Sequence, residues 1–188
     1  MPMLGALITP HPPVLLPEVG GGREREISAT GNALREAAAE VARWNPEVLI
    51  VASPHTILYG DYFHIAPGEG AVGSMAAFGA PQVRIAVSYD VPLRQAILRQ
   101  AESAGLRAGT LGQRDPDLDH GVLIPLYFLR RAGVTCPIVR IGPLPAGAVR
   151  GQRGGRTGTT GGFCGQRGSL PQAQGRWSLR LCPGGTGL

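Results

Sequence analysis

Lysine is absent, so all 18 cationic side chains are arginines, and no acidic residue follows Asp119. The formal net charge of +5 invites a nucleic-acid ligand, but the charge is unevenly spread. Up to Ala148, 12 arginines face 13 acids, whereas the remaining 6 arginines face none, so the body carries −1 and the tail +6. A near-neutral body suits an enzyme for small substrates better than a protein that tracks phosphates, and no nucleic-acid partner is expected. Cysteine is scarce. Cys136, Cys164 and Cys182 show no close pairing, which excludes a disulfide framework; with no charged leader ahead of an apolar core, a reducing, cytoplasmic setting is expected. No run approaches the roughly 20 apolar residues that span a bilayer, so no membrane partner is expected. A chain of 188 residues has room for one domain with a core, and too little for two ordinary ones.

What is present alternates in period. Residues 4–8 (Leu-Gly-Ala-Leu-Ile) read as a buried strand, and the Pro10-His11-Pro12-Pro13 run after it can continue neither a ladder nor a helix, which holds His11 on a stiff loop. Over 24–44, Ile27, Leu34, Ala38 and Val41 share one helical face, and Asn45-Pro46 closes that helix. Residues 48–52 form a continuous apolar run of strand length, the pattern of a central strand covered on both faces. Further strands are expected at 62–66 and 83–88, with the glycine-rich stretch between them (Gly68, Gly70, Gly73, Gly79) read as loop. The spacing predicts a helix over 91–104 stopped by Gly105, a buried helix over 122–132 with Pro125 in its first turn, and a last strand at 138–141. The expected fold class is α/β, with a mixed or largely parallel central sheet flanked by helices, whose ligands bind beyond the carboxyl ends of the strands. The domain spans 1–148. From 149 to 188, 12 of 40 residues are glycine and six are arginine, without apolar periodicity, so this tail should pack no core.

All four histidines lie in the first 120 residues. His11 and His55 each follow an apolar run, in Thr9-Pro10-His11 and Ser53-Pro54-His55, so two imidazoles are offered from neighbouring strand ends, a common way to build a metal site. His11 could equally cap a turn and His55 be a satisfied loop histidine, and two histidines alone do not choose among iron, zinc, copper and nickel. His64, inside a strand pattern, reads as structural. Asp119-His120-Gly121 precedes a helix, where His120 could donate to a phenolate or bound oxygen, or could cap the helix together with Asp117 or Asp119.

Thr9-Pro10-His11-Pro12-Pro13, Ser53-Pro54-His55, Asp119-His120-Gly121 and Ile124-Pro125-Leu126, in this order and separation, resemble the LigB-type class III extradiol ring-cleavage dioxygenases. The likeness covers residues 1 to about 145 and is greatest to the Memo-like LigB domains of the AmmeMemoRadiSam system. It implies that His11 and His55 hold Fe(II), with Zn as the alternative. It also implies that His120 is an active-site histidine and that a small aromatic diol and O2 are the substrates. An alternative is a Memo-like metal-binding module that acts with other AmmeMemoRadiSam components and cleaves no catechol; a third is a zinc hydrolase using the same two histidines. Self-association is left open.

Two elements that the family implies are missing: a Ser-Gly-Asp-Leu-Ser-His-like segment supplying the acid/base histidine, and a downstream glutamate completing the metal triad. Asp61, Glu69, Asp115 and Asp117 are substitute carboxylates among which nothing in the sequence selects. Little or no turnover is therefore expected from this polypeptide. Reading codons one base later from Gly162 to Gln172 permits Ala-Phe-Val-Ala-Ser-Gly-Asp-Leu-Ser-His-Arg, which contains the missing segment. Constrained codons agree, since Trp177 then forces glycine and Gln172 and Gln174 force lysine or arginine. A frameshift near 148–151 is the expectation; the alternative is an Arg/Gly tail that binds RNA or an acidic partner. Loss of the C-terminal strands should leave an unpaired sheet edge and exposed apolar area.

Overall fold

The computed structural model describes residues 3–112 and 117–143. The boundary at 148, the 149–188 tail, Asp115, Cys164 and Cys182 lie outside the described residues. The order is α1 (Pro17–Gly20), α2 (Ser28–Trp44), β1 (Leu49–Ala52), β2 (Phe63–His64), β3 (Gly70–Met75), β4 (Ala80–Ser88), α3 (Val91–Ser103), β5 (Ala108–Gly109), α4 (His120–Arg131) and β6 (Ile138–Ile141), with short 3-10 turns at Pro13–Leu15, Arg23–Ile27 and Ala76–Phe78. This is a mixed α/β architecture. β1 pairs in parallel with β6, β2 in parallel with β5, and β3 antiparallel with β4. Isolated bridges from Ile65 to Ile141 and from Tyr89 to Ile138 tie the other two ladders to β6, which therefore lies at the middle of the strand system.

The helices end where their sequences say they must. Asn45 takes the left-handed conformation (φ 47°) after α2, and Gly105 (φ 68°) receives the end of α3 while its N–H bonds back to the Glu102 carbonyl at 2.9 Å. Asp90 caps α3 by accepting from the Leu93 N–H at 2.8 Å. α4 is the centre of the core: Val122, Leu123, Ile124, Leu126 and Phe128 are buried, and with Leu15, Leu16, Leu34, Ala38, Met75, Ile85 and Ile138 they form one apolar cluster. Each such side chain contributes about 1.5–3 kcal/mol on leaving water.

Several expectations are corrected. Residues 4–8 lie in no ladder, with Leu4 half-exposed and Ile8 fully so, because no strand lies alongside to accept their hydrogen bonds among the described residues; Gly5 instead sits against the Trp44 ring. β1 is not covered on both faces among the described residues: there it has one partner strand, and Ile50 is 57% exposed. The glycine-rich stretch is not all loop. Gly70 and Gly73 lie in β3, where a Cβ at Gly70 would meet the Val87 carbonyl oxygen at 2.4 Å and one at Gly73 the Leu118 carbonyl oxygen at 2.6 Å, so close backbone approach is what demands glycine there. The helix expected from 24 starts at Ser28, after a 3-10 turn. α4 begins at His120 rather than 122, which places His120 in the helix and Pro125 beyond its first turn.

Candidate metal centre

His11, His55 and His120 arrive from three different places. His11 stands in the proline-bound segment before the Pro13–Leu15 turn, His55 in the turn that follows β1, and His120 at the first residue of α4. Their ligand-capable nitrogens all lie within 4.8 Å of one another. The His11 and His55 Nε2 atoms face each other at 2.9 Å, and the His55 and His120 rings lie tilted at 34° with centroids 4.0 Å apart. Phe78 closes one side of His120, edge to face, at 5.1 Å. His11 and His120 are half-buried and His55 is exposed, so the cluster opens to solvent through His55.

The donor set fits a cation. Nδ1 of His11 lies 3.4 Å from the Thr9 carbonyl, a long contact in which the ring donates and thereby leaves the Nε2 lone pair free. Two imidazole nitrogens sharing one ion at roughly 2.1 Å each sit about 3 Å apart, close to the spacing here. Without a cation, one Nε2 must carry a proton and donate to the other. Burial lowers the proton affinity of His120, the neighbouring His55 lowers it further, Asp119 opposes this, and His11 adds to the lowering. A lowered pKa keeps His120 neutral near pH 7, the state in which an imidazole binds metal or accepts a proton.

Behind the rings runs a polar strut. Asp119 is the α4 N-cap, its Oδ1 accepting from the Gly121 N–H at 2.8 Å and the Val122 N–H at 3.3 Å. The same oxygen accepts from the Ser53 hydroxyl at 2.5 Å, and Ser53 Oγ accepts from the His55 N–H at 3.2 Å. From β6, the buried Arg140 donates to the Asp117 carbonyl at 2.7 Å, holding the segment that enters α4.

The capping role weighed for Asp119-His120 thus belongs to Asp119, which frees the His120 ring for the cluster. Ser53 was not singled out from the sequence; the only signal was a small hydroxyl residue two positions before a histidine. His64 is elsewhere: it is buried in β2, its ring facing Tyr59 and Tyr62 at 5.7 and 6.5 Å. No carboxylate joins the histidine cluster among the described residues. Asp61 pairs with Arg107, Glu69 is exposed, and Asp117 is exposed with its carbonyl engaged by Arg140.

The family model of the catalytic LigB subunit of aromatic ring-opening dioxygenase matches residues 5–150, and the chain belongs to that family. A curated protein of Clostridium acetobutylicum, named by a locus designation alone, is 29% identical over 75% of this chain and 32% of its own length. The chain therefore spans about a third of that relative. No helix among the described residues is long and apolar enough to cross a membrane.

Proposed function

We propose that this chain carries the metal-binding half of a non-haem, Fe(II)-dependent extradiol dioxygenase site. The observation that carries the reading is the convergence of His11 and His55 Nε2 at 2.9 Å within a LigB-family chain. The two histidines hold the metal, and ferrous iron there would supply the means to bring an aromatic diol and O2 together for ring opening. His120 is the catalytic group: neutral by burial, it offers a ring nitrogen beside the two ligands that hydrogen-bonds the bound substrate or oxygen. Phe78 gives the flat ring of such a substrate an apolar wall beside His120.

With two matched ligands and no carboxylate in the cluster among the described residues, iron is held weakly and turnover is small. This is consistent with a domain of 1–148 followed by a tail read from a shifted frame. Protein purified without oxygen should bind ferrous iron, and His11→Ala or His55→Ala should each weaken that binding by about tenfold or more. Elemental analysis and iron titration check this. Zinc at full occupancy with no iron uptake would favour the hydrolase alternative.

A second reading is a Memo-like binding module of the AmmeMemoRadiSam system. It is favoured by the relative that extends well beyond the matched region, as a domain joined to other modules does. An adjacent radical-SAM gene supports it; an aromatic-degradation gene cluster supports ring cleavage.

A further inference from the structure

We infer that Ser53 and Asp119 form a positioning clamp that orients the ligand His55 and fixes its spacing from His120, and that the orientation of His55 sets the cation affinity of the site. The inference rests on the metal-binding reading above for its consequence, and on the hydrogen-bond geometry of Ser53 and Asp119 for its substance.

Ser53 is 1% exposed, so its hydroxyl has no water to exchange with and must be used inside the protein. It is used twice: Oγ donates to Asp119 Oδ1 at 2.5 Å and accepts from the backbone N–H of His55 at 3.2 Å. Asp119 Oδ1 in turn receives the Gly121 and Val122 N–H groups. One oxygen on each side therefore couples the turn that carries His55 to the first turn of the helix that carries His120. The Ser53 carbonyl also accepts from Thr56 Oγ1 at 3.1 Å, which closes the turn around His55 from the other end.

Gly121 shows how tightly the clamp is drawn. A Cβ there would stand 2.4 Å from Ser53 Oγ, 2.9 Å from Asp119 Oδ1 and 2.9 Å from His55 Cδ2, so the helix start and the histidine turn touch with no room for a methyl group. The His55 ring is exposed, so its place depends on this turn and on its contacts with His11 and His120. A hydroxyl placed to hold a capping carboxylate and a histidine turn in register is an orienting device of the kind that supports metal ligands from behind.

The test compares wild type with Ser53→Ala, Asp119→Ala and Asp119→Asn. Three readouts are used: the ring resonances of His55 and His120 in the metal-free protein by NMR, Co2+ affinity by titration, and thermal midpoint. Ser53→Ala keeps the helix cap, so its midpoint should stay near wild type. Its two ring signals should move, and its Co2+ affinity should fall about ten- to a hundredfold. Asp119→Asn keeps an acceptor oxygen for Ser53 and the helix N–H groups, and should retain ring positions and most of the affinity. Asp119→Ala should lose affinity and midpoint together. Ring resonances that do not move in Ser53→Ala overturn the inference, as does an unchanged Co2+ affinity where wild type binds. If wild type takes up no Co2+, the metal reading fails, while the metal-free ring signals still decide whether the clamp positions the histidines.

Discussion

His64 shows what a single buried imidazole does to a fold. Its Nε2 has no hydrogen-bond partner among the described residues, and burial is the main cause that lowers its pKa, with a carbonyl contact from Thr110 opposing and Arg140 adding to the lowering. Folded-state protonation is thus harder than in the unfolded chain, where histidine titrates near 6.5. The unfolded chain binds the extra proton, so the stability His64 contributes is present above that pH and is lost as pH falls through the folded value. We expect a wild-type urea midpoint that drops below about pH 6.5 more steeply than that of His64→Leu, followed across pH 5–8 by circular dichroism. The structural reading of His64 was legible in the sequence because it sits in a strand pattern. Arg140 was not: a charge in an apolar strand looks outward-facing, yet it is buried and serves the loop leading into α4.

At the scale of elements, end signals were readable and glycine was misleading. Asn45, Gly105 and Asp119 terminate or start helices by local chemistry alone, which a sequence carries in full. Glycines in β3 were read as loop because local preference cannot reveal which distant backbone will press against them. Gly73 is the sharper case, since a Cβ there would also approach Leu118 Cβ at 2.7 Å and Leu123 Cδ1 at 3.1 Å. Gly73→Ala should therefore destabilise the protein by about 1–3 kcal/mol despite alanine's better backbone entropy. The same change at the open position Gly60, which a Cβ would enter without contact, should cost much less. Chemical denaturation of both variants makes the comparison.

At the scale of the whole molecule, the apolar edge is the distinguishing feature. Leu4, Ile8 and Ile50 are exposed, and β1 has a partner on one side only among the described residues. Such an edge recruits other chains and depresses solubility. A gene restored to the frame that encodes the Ser-Gly-Asp-Leu-Ser-His segment should yield more soluble protein and open the ring of a catechol under ferrous iron, while the present polypeptide should show little of either. Soluble yield and a catechol-cleavage assay on the two proteins check this, and robust ring opening by the present chain would refute the incomplete-site account. Resequencing across codons 148–151 tests the frame directly.

The linear chain determined which residues could carry chemistry, where most helices stop and which family it belongs to, because motif identity and capping depend on neighbours a few positions away. Tertiary structure alone decided that three histidines from distant segments meet, that Ser53 reaches Asp119 across 66 residues, and that the opening apolar run finds no ladder partner among the described residues. Those outcomes depend on which segments come to lie side by side, and no local pattern encodes that.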